Sequence, residues 1–172
     1  MIRKAKNQDL DAVEKMYEEI ITAPPLPDSS VGWILGVYPT RKTAEDALGR
    51  EDLFVLEDEG RVVASAIINQ VQVPSYHEAD WAYAAEDSEV MVLHTLCVFP
   101  TESKKGYGRQ FVAFYEDYAR KHGCTVLRMD TNQKNNRARR MYQKLGYREA
   151  GIVGCTFQGI PDVGLVCLEK QL

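Results

Sequence analysis

Paired cysteine is what this sequence most plainly lacks. Its four cysteines, Cys97, Cys124, Cys155 and Cys167, form no C-x-x-C. That spacing argues against a zinc site and against a disulfide framework, and it predicts four buried thiols in a reducing cytosol. Long apolar runs are missing as well. Stretches such as Val90–Leu93 fall far short of the roughly 20 residues needed to cross a bilayer. The opening residues Met1–Asn7 contain no hydrophobic region of a secretory signal. The expectation is a cytoplasmic chain with no membrane partner and no metal. A net basic charge is absent too, since the formal charge is −4, which argues against general nucleic-acid binding.

The charge that is present is unevenly spread. Residues 1–100 sum to −10 and residues 101–172 to +6. Such asymmetry is a common mark of a charged ligand. At 172 residues, with 45% hydrophobic and 27% charged side chains, the chain fits one domain with a real core, 1–172.

The element pattern reads in two halves. Ile2–Ala5 is a short strand. A helix capped by Asn7 or Asp9 runs to Ile20, with Leu10, Val13, Met16, Tyr17 and Ile20 at helical spacing. Pro24, Pro25 and Pro27 mark a loop, and Thr40–Leu48 is a second helix. Leu53–Glu57 and Arg61–Asn69 flank a turn at Asp58-Glu59-Gly60 and predict a hairpin. Residues 70–88 are irregular, and a loop of that length in a compact domain is usually functional or disordered. Then come a strand over Glu89–Phe99, a helix over Gly106–His122, a strand over Thr125–Asp130, a helix over Asn135–Leu145, and strands over Tyr147–Phe157 and Val163–Glu169. The order predicts an α/β (α+β) fold with a mixed sheet.

Two features point to an anionic ligand. Ser103-Lys104-Lys105-Gly106-Tyr107-Gly108-Arg109 lies between a strand and a helix. Glycines there let backbone approach a ligand, and the free N–H groups at a helix start suit phosphate oxygens. No G-K-[ST] follows, so this is not a Walker loop. Phe111 occupies the third glycine position of a dinucleotide fingerprint. The second feature is residues 131–148, which hold Lys134, Arg137, Arg139, Arg140, Lys144 and Arg148 and no acid. This run is either a solvated helix face or a second wall around the same phosphates.

Together these residues resemble the GNAT acetyltransferase superfamily. The family's phosphate turn, Gln/Arg-x-x-Gly-x-Gly/Ala, follows a strand ending in Val and Pro. Here Leu96-Cys97-Val98-Phe99-Pro100 precedes Ser103-Lys104-Lys105-Gly106-Tyr107-Gly108. The family's second block, Asn-x-x-Ala-x-x-x-Tyr then Lys-Leu-Gly-Phe/Tyr, matches Asn135 to Tyr142 and Lys144-Leu145-Gly146-Tyr147. The match is firm over 89–150, the implied cofactor-binding core, and looser over 1–70. It departs at Ser103, which stands where the family has Gln or Arg. The resemblance implies a mostly antiparallel central sheet of about 6–7 strands flanked by about four helices.

It also implies acetyl-CoA as cofactor, CoA as product, and acyl transfer to a primary amine of a small molecule, amino acid or peptide. Backbone near Leu96, Cys97 and Val98 would pair with the pantetheine arm, and a backbone N–H there would hold the oxyanion. Ser103 through Arg109 would receive the pyrophosphate. Arg137 and Arg139 are candidates for the 3′-phosphate or adenine side. Asn135 would contact the CoA arm or simply cap its helix. Tyr142 matches the family's general acid. His94, on the strand face of Leu96 and Val98 by the period of two, is the first candidate base, with Glu89 acting through water as the other.

Trp33, Tyr38, Tyr76, Trp81 and Tyr83 lie in segments that line the acceptor cleft in the family. Glu78, Asp80, Glu86 and Asp87 flank the later group, and aromatics with acids suit a cationic amine. The alternative is a non-catalytic acyl-CoA-binding or sensing module. Family members often pair, so a homodimer is within what the resemblance implies.

Overall fold

Helices form where apolar residues recur every three to four positions and a cap is available. In a computed structural model of the chain, which describes residues 1–24 and 26–172, helix α1 spans Leu10–Thr22. It buries Leu10, Val13, Met16 and Tyr17 on one face, each worth roughly 1.5–3 kcal/mol when fully removed from water. Helix α2, Arg41–Gly49, begins after Thr40, whose N–H donates to Thr43 Oγ1 at 3.0 Å. Helix α3 is Tyr107–Lys121 and helix α4 is Asn136–Lys144. Gly123, at φ +74°, supplies the left-handed residue that stops the chain just beyond α3. Pro25, one of the three loop prolines, lies outside the described residues.

The strands are β1 Ile2–Lys4, β2 Leu53–Asp58, β3 Arg61–Asn69, β4 Val90–Val98, β5 Val126–Asn132, β6 Arg148–Phe157 and β7 Ile160–Gln171. They form one seven-stranded sheet in the order β1-β2-β3-β4-β5-β7-β6. Pairs β1–β2, β2–β3, β5–β7 and β6–β7 are antiparallel, and β4–β5 is parallel. The expected mixed, mostly antiparallel sheet with four helices is what the chain builds. Among the described residues no helix is long and apolar enough to cross a membrane.

The chain divides into two compact units. The first comprises 1–24, Trp33–Ile68 and His94–Tyr115; the second comprises 26–32, Asn69–Leu93 and Glu116–Leu172. The first unit's core packs Leu10, Val13, Met16 and Tyr17 of α1 and Ala44 and Ala47 of α2 against Leu53, Val55, Ile67 and Cys97. The second unit's core joins Tyr76, Val90, Val92, Val126, Ala150, Val153 and Cys167.

Two expectations change on seeing the strands. Cys97, Cys124 and Cys167 are buried as expected, but Cys155 is only half-buried, beside a register shift on β6. The alternation along β4 also does not run through. Thr95 sits at φ +51° in mid-strand, a bulge-like conformation that costs a β-branched residue roughly 1–3 kcal/mol. A period-two argument that puts His94, Leu96 and Val98 on one face therefore fails at Thr95.

Candidate functional site

The glycine turn belongs to the first unit. Pro100–Glu102 forms a single 3-10 turn after β4, and the chain then passes through Ser103, Lys104 (φ +71°) and Gly106 (φ +85°) into α3. Two left-handed residues two positions apart fold the backbone so that successive N–H groups lie at the helix start. Among the described residues, the N–H groups of Lys104 through Arg109 have no acceptor. Lys104 and Arg109 are exposed and have no ion-pair partner among the described residues. Lys105 is different: its Nζ is 2.6 Å from the buried carboxylate of Glu102. Tyr107 is also committed, with its hydroxyl donating to Asp58 Oδ2 at 2.6 Å. Gly106 and Gly108 carry no side chain toward the turn, so what the turn offers a ligand is backbone N–H plus two unspent cations.

The end of β4 completes this half. Leu96 and Val98 are half-buried and Cys97 is buried. Burial pushes the Cys97 thiol well above its ordinary range. Thr95 is braced on both sides of its strained backbone. Its Oγ1 lies 2.6 Å from the Tyr38 hydroxyl, and its carbonyl accepts from Cys97 Sγ at 3.3 Å. Trp33 stands edge-on to Tyr38, ring centroids 6.2 Å apart. His94 is half-buried and is the first β4 residue past the β4–β5 ladder, whose last pair is Leu93↔Met129.

The second block lies in the second unit, as do residues 70–88. Asn135 caps α4: its Oδ1 accepts from Ala138 N–H at 3.3 Å and from Ser29 Oγ at 2.9 Å, and its Nδ2 donates to Thr131 Oγ1 at 3.1 Å. The capping role is thus occupied by design of the local hydrogen bonds. Arg137 is exposed with no ion pair among the described residues. Arg139 is spent on a bidentate bridge to Glu149, Nε–Oε1 2.8 Å and Nη2–Oε2 2.9 Å. Tyr142 is 6% exposed, with its ring edge-on to Tyr147 at 5.9 Å.

Residues 70–88 are neither loose nor uniformly exposed. Tyr76 is 2% exposed, so it forms part of the core rather than an open cleft wall, a change from expectation. Its carbonyl accepts from Trp81 Nε1 at 2.7 Å, and the Arg128 guanidinium lies 4.3 Å over the Trp81 ring. Tyr83 is half-buried; its carbonyl accepts from Arg128 and its N–H donates to Glu169. Glu169, fully buried, accepts from Ala82 N–H at 2.7 Å and Tyr83 N–H at 3.3 Å, and pairs with Arg148 at 2.6 Å.

The residues 13–147 match the family model described as Acetyltransferase (GNAT) family. This chain belongs to the GNAT acetyltransferase family.

It is 33% identical over 60 residues to an uncharacterized N-acetyltransferase of Bacillus subtilis, covering 35% of this chain and 40% of that one. It is 26% identical over 70 residues to an aminoglycoside N(6′)-acetyltransferase type 1 of Salmonella typhimurium, covering 41% of this chain and 48% of that one. The chain thus spans less than half the length of the curated relatives it matches. A Salmonella typhimurium structure described as an acetyltransferase with its cofactor acetyl-CoA aligns at TM-score 0.68 and 20% identity, covering 100% of this chain and 93% of that one.

Three features escaped sequence reasoning about this GNAT chain. Glu169 lies near the end of β7 opposite Arg128 and Arg148, and the register that creates this cluster is tertiary information. Asp130 is the first β5 residue past the ladder, and Tyr76 donates to its Oδ2 at 2.6 Å. An acid following the buried run Val126–Met129 was the available signal for it. The left-handed Thr95 had no sequence signal at all.

Proposed function

We propose that this chain, acting as a single domain over 1–172, transfers the acetyl group of acetyl-CoA to a primary amine of a small molecule, amino acid or peptide. The observation that carries the proposal is the turn at 103–109. Unaccepted backbone N–H groups at the start of a fifteen-residue helix, flanked by the unpaired Lys104 and Arg109, suit a pyrophosphate. Arg137 is a further unspent cation for CoA's remaining phosphate. Ser103, in place of Gln or Arg, leaves the turn to bind through backbone and Lys104 rather than through a planar side chain.

Transfer is assigned to direct attack by the amine. Burial holds the Cys97, Cys124 and Cys167 thiols protonated, Cys167 being pushed up to about 12, so none of them is a ready thiolate for an acyl-enzyme. Tyr142 is assigned the proton donation to the leaving thiolate, and backbone near Val98 the oxyanion.

The test is thermal: acetyl-CoA and CoA at millimolar levels should raise the melting temperature by several degrees, and NAD should not. CoA thiol release with an amine panel then separates an enzyme from a binding module. No shift with either CoA species would overturn the cofactor assignment.

A further inference from the structure

We propose that Tyr38 is a positioning residue for acyl transfer: its hydroxyl holds the kink at Thr95 that aims the β4 backbone over Leu96–Val98. This rests on the transferase reading above, which gives that backbone the oxyanion of the thioester. Every group involved belongs to the first unit.

The kink needs a holder. Thr95 is left-handed at φ +51°, a conformation that a β-branched residue keeps only where its surroundings over-determine it. Along an even strand successive peptides alternate in direction, and a left-handed residue breaks that alternation. The N–H groups that follow Thr95 therefore point where its torsion sends them. The far side of the kink is anchored. Cys97 is buried in the core formed with α1 and α2, and Phe99 N–H donates to the Val63 carbonyl at 3.1 Å.

Two side chains hold Thr95 itself. Cys97 Sγ donates to its carbonyl at 3.3 Å, and burial keeps that thiol protonated and so a donor. A thiol is a weak donor. The Tyr38 hydroxyl lies 2.6 Å from Thr95 Oγ1, well inside the range of an O–H···O bond, and is the stronger hold.

Tyr38 is itself fixed. Its N–H donates to the Ile34 carbonyl at 3.0 Å and its carbonyl accepts from Ile34 N–H at 3.2 Å, closing a tight turn through Gly36 at φ +75°. Trp33 stands edge-on to its ring, and α2 begins three residues later at Arg41. The residue is 8% exposed. A buried ring with a committed hydroxyl has little left for an amine. Tyr38 therefore serves the acyl-donor side, in place of the acceptor contact expected from its position in the sequence.

The full-length chain is assayed for CoA thiol release with acetyl-CoA and four amines: a polyamine, an aminoglycoside, an amino-acid amide and a peptide with a free N-terminus. Tyr38→Phe keeps the ring against Trp33 and removes only the hydroxyl. Its kcat should fall by roughly 10–100-fold, less than for deleting an oxyanion donor outright, because the N–H is displaced and not lost. The KM values for acetyl-CoA and the amine should stay within about threefold, the signature of an interaction made only in the transition state. The acetyl-CoA thermal shift should persist. Glycine keeps a left-handed φ without a brace, so adding Thr95→Gly to Tyr38→Phe should recover at least about half of the lost log kcat. A merely structural tyrosine would gain nothing from that second change. A kcat loss below about tenfold, a loss carried by the amine KM, or a double variant that recovers less overturns the proposal and leaves the transferase reading standing. If the wild type is stabilised by acetyl-CoA yet releases no CoA with any amine, the transferase reading fails and the proposal fails with it.

Discussion

The turn at 103–109 and the segment 70–88 are both polar, irregular stretches, and they dispose of their polar groups in opposite ways. In the turn, six successive N–H groups, Lys104 through Arg109, have no acceptor among the described residues, and two of the three cations have no partner. In the segment, Trp81 Nε1, the N–H groups of Ala82 and Tyr83, and the Tyr76 hydroxyl all find acceptors. Buried polar groups are normally satisfied, so a stretch that satisfies them internally is scaffold. A stretch that leaves them open at a helix start keeps them available to water or to an anionic ligand. By this measure 70–88 is a fixed wall rather than a lid, with the buried Ser75 Oγ as its unsatisfied side-chain atom among the described residues.

The largest effect should come from the proposed chemistry. Tyr142→Phe keeps the ring against Tyr147 and removes only the hydroxyl. It should lower kcat by roughly 10–1000-fold, the range for a lost general acid, with the fold intact by circular dichroism. Unchanged kcat, with chemistry shown to limit turnover, would remove Tyr142 from the role.

Next in size is the anchoring of the wall. Glu169→Ala strips the acceptor from Ala82 and Tyr83 and leaves Arg148 without its buried partner. Because Arg148 is exposed, the loss comes mainly from the acceptor taken from the two N–H groups, about 1–3 kcal/mol, read by urea unfolding. Amide exchange at Ala82 and Tyr83 should speed up more than at Val92 or Leu127, which lie in the sheet. Equal protection before and after would mean the segment is held by something else, and the contrast with the turn would weaken.

The same contrast explains what the sequence could and could not disclose. The sheet, the hairpin and the helices were legible because their periods and stops are local: Arg61–Asn69 is the same strand in sequence and structure. The turn and the Asn135–Tyr147 block were legible because their glycines, cations and spacing are contiguous. Which cations are spent was not legible, because Glu102 and Glu149 reach Lys105 and Arg139 only through folded geometry. Tyr76 read as cleft aromatic and is core, since its partner Asp130 lies 54 residues away. The Thr95 bulge was hidden because nothing in Leu93-His94-Thr95-Leu96 prefers a left-handed residue.

The smallest effects divide the cations themselves. Lys104→Ala with Arg109→Ala removes two exposed, unpaired charges, so stability should move by no more than about 0.5 kcal/mol. The KM for acetyl-CoA should rise by roughly 5–30-fold, as expected for two charge-assisted phosphate contacts, and that rise should shrink in high salt. Arg139→Ala should do the reverse. Its bridge to Glu149 is three-quarters buried on both sides, and the Arg139 guanidinium holds the Glu149 carboxyl below its usual range. Because the folded value is depressed, that stabilisation is present above the unfolded carboxylate range and is lost as pH falls through the folded one. Wild type should therefore exceed Arg139→Ala in stability at pH 7 by about 1–2 kcal/mol, with the gap closing toward pH 3. The KM for acetyl-CoA should stay within about twofold. A KM rise in Arg139→Ala matching that of the double variant would show that a cation can hold a phosphate and a carboxylate at once. The rule that unspent charge marks the ligand would then lose its force in this chain.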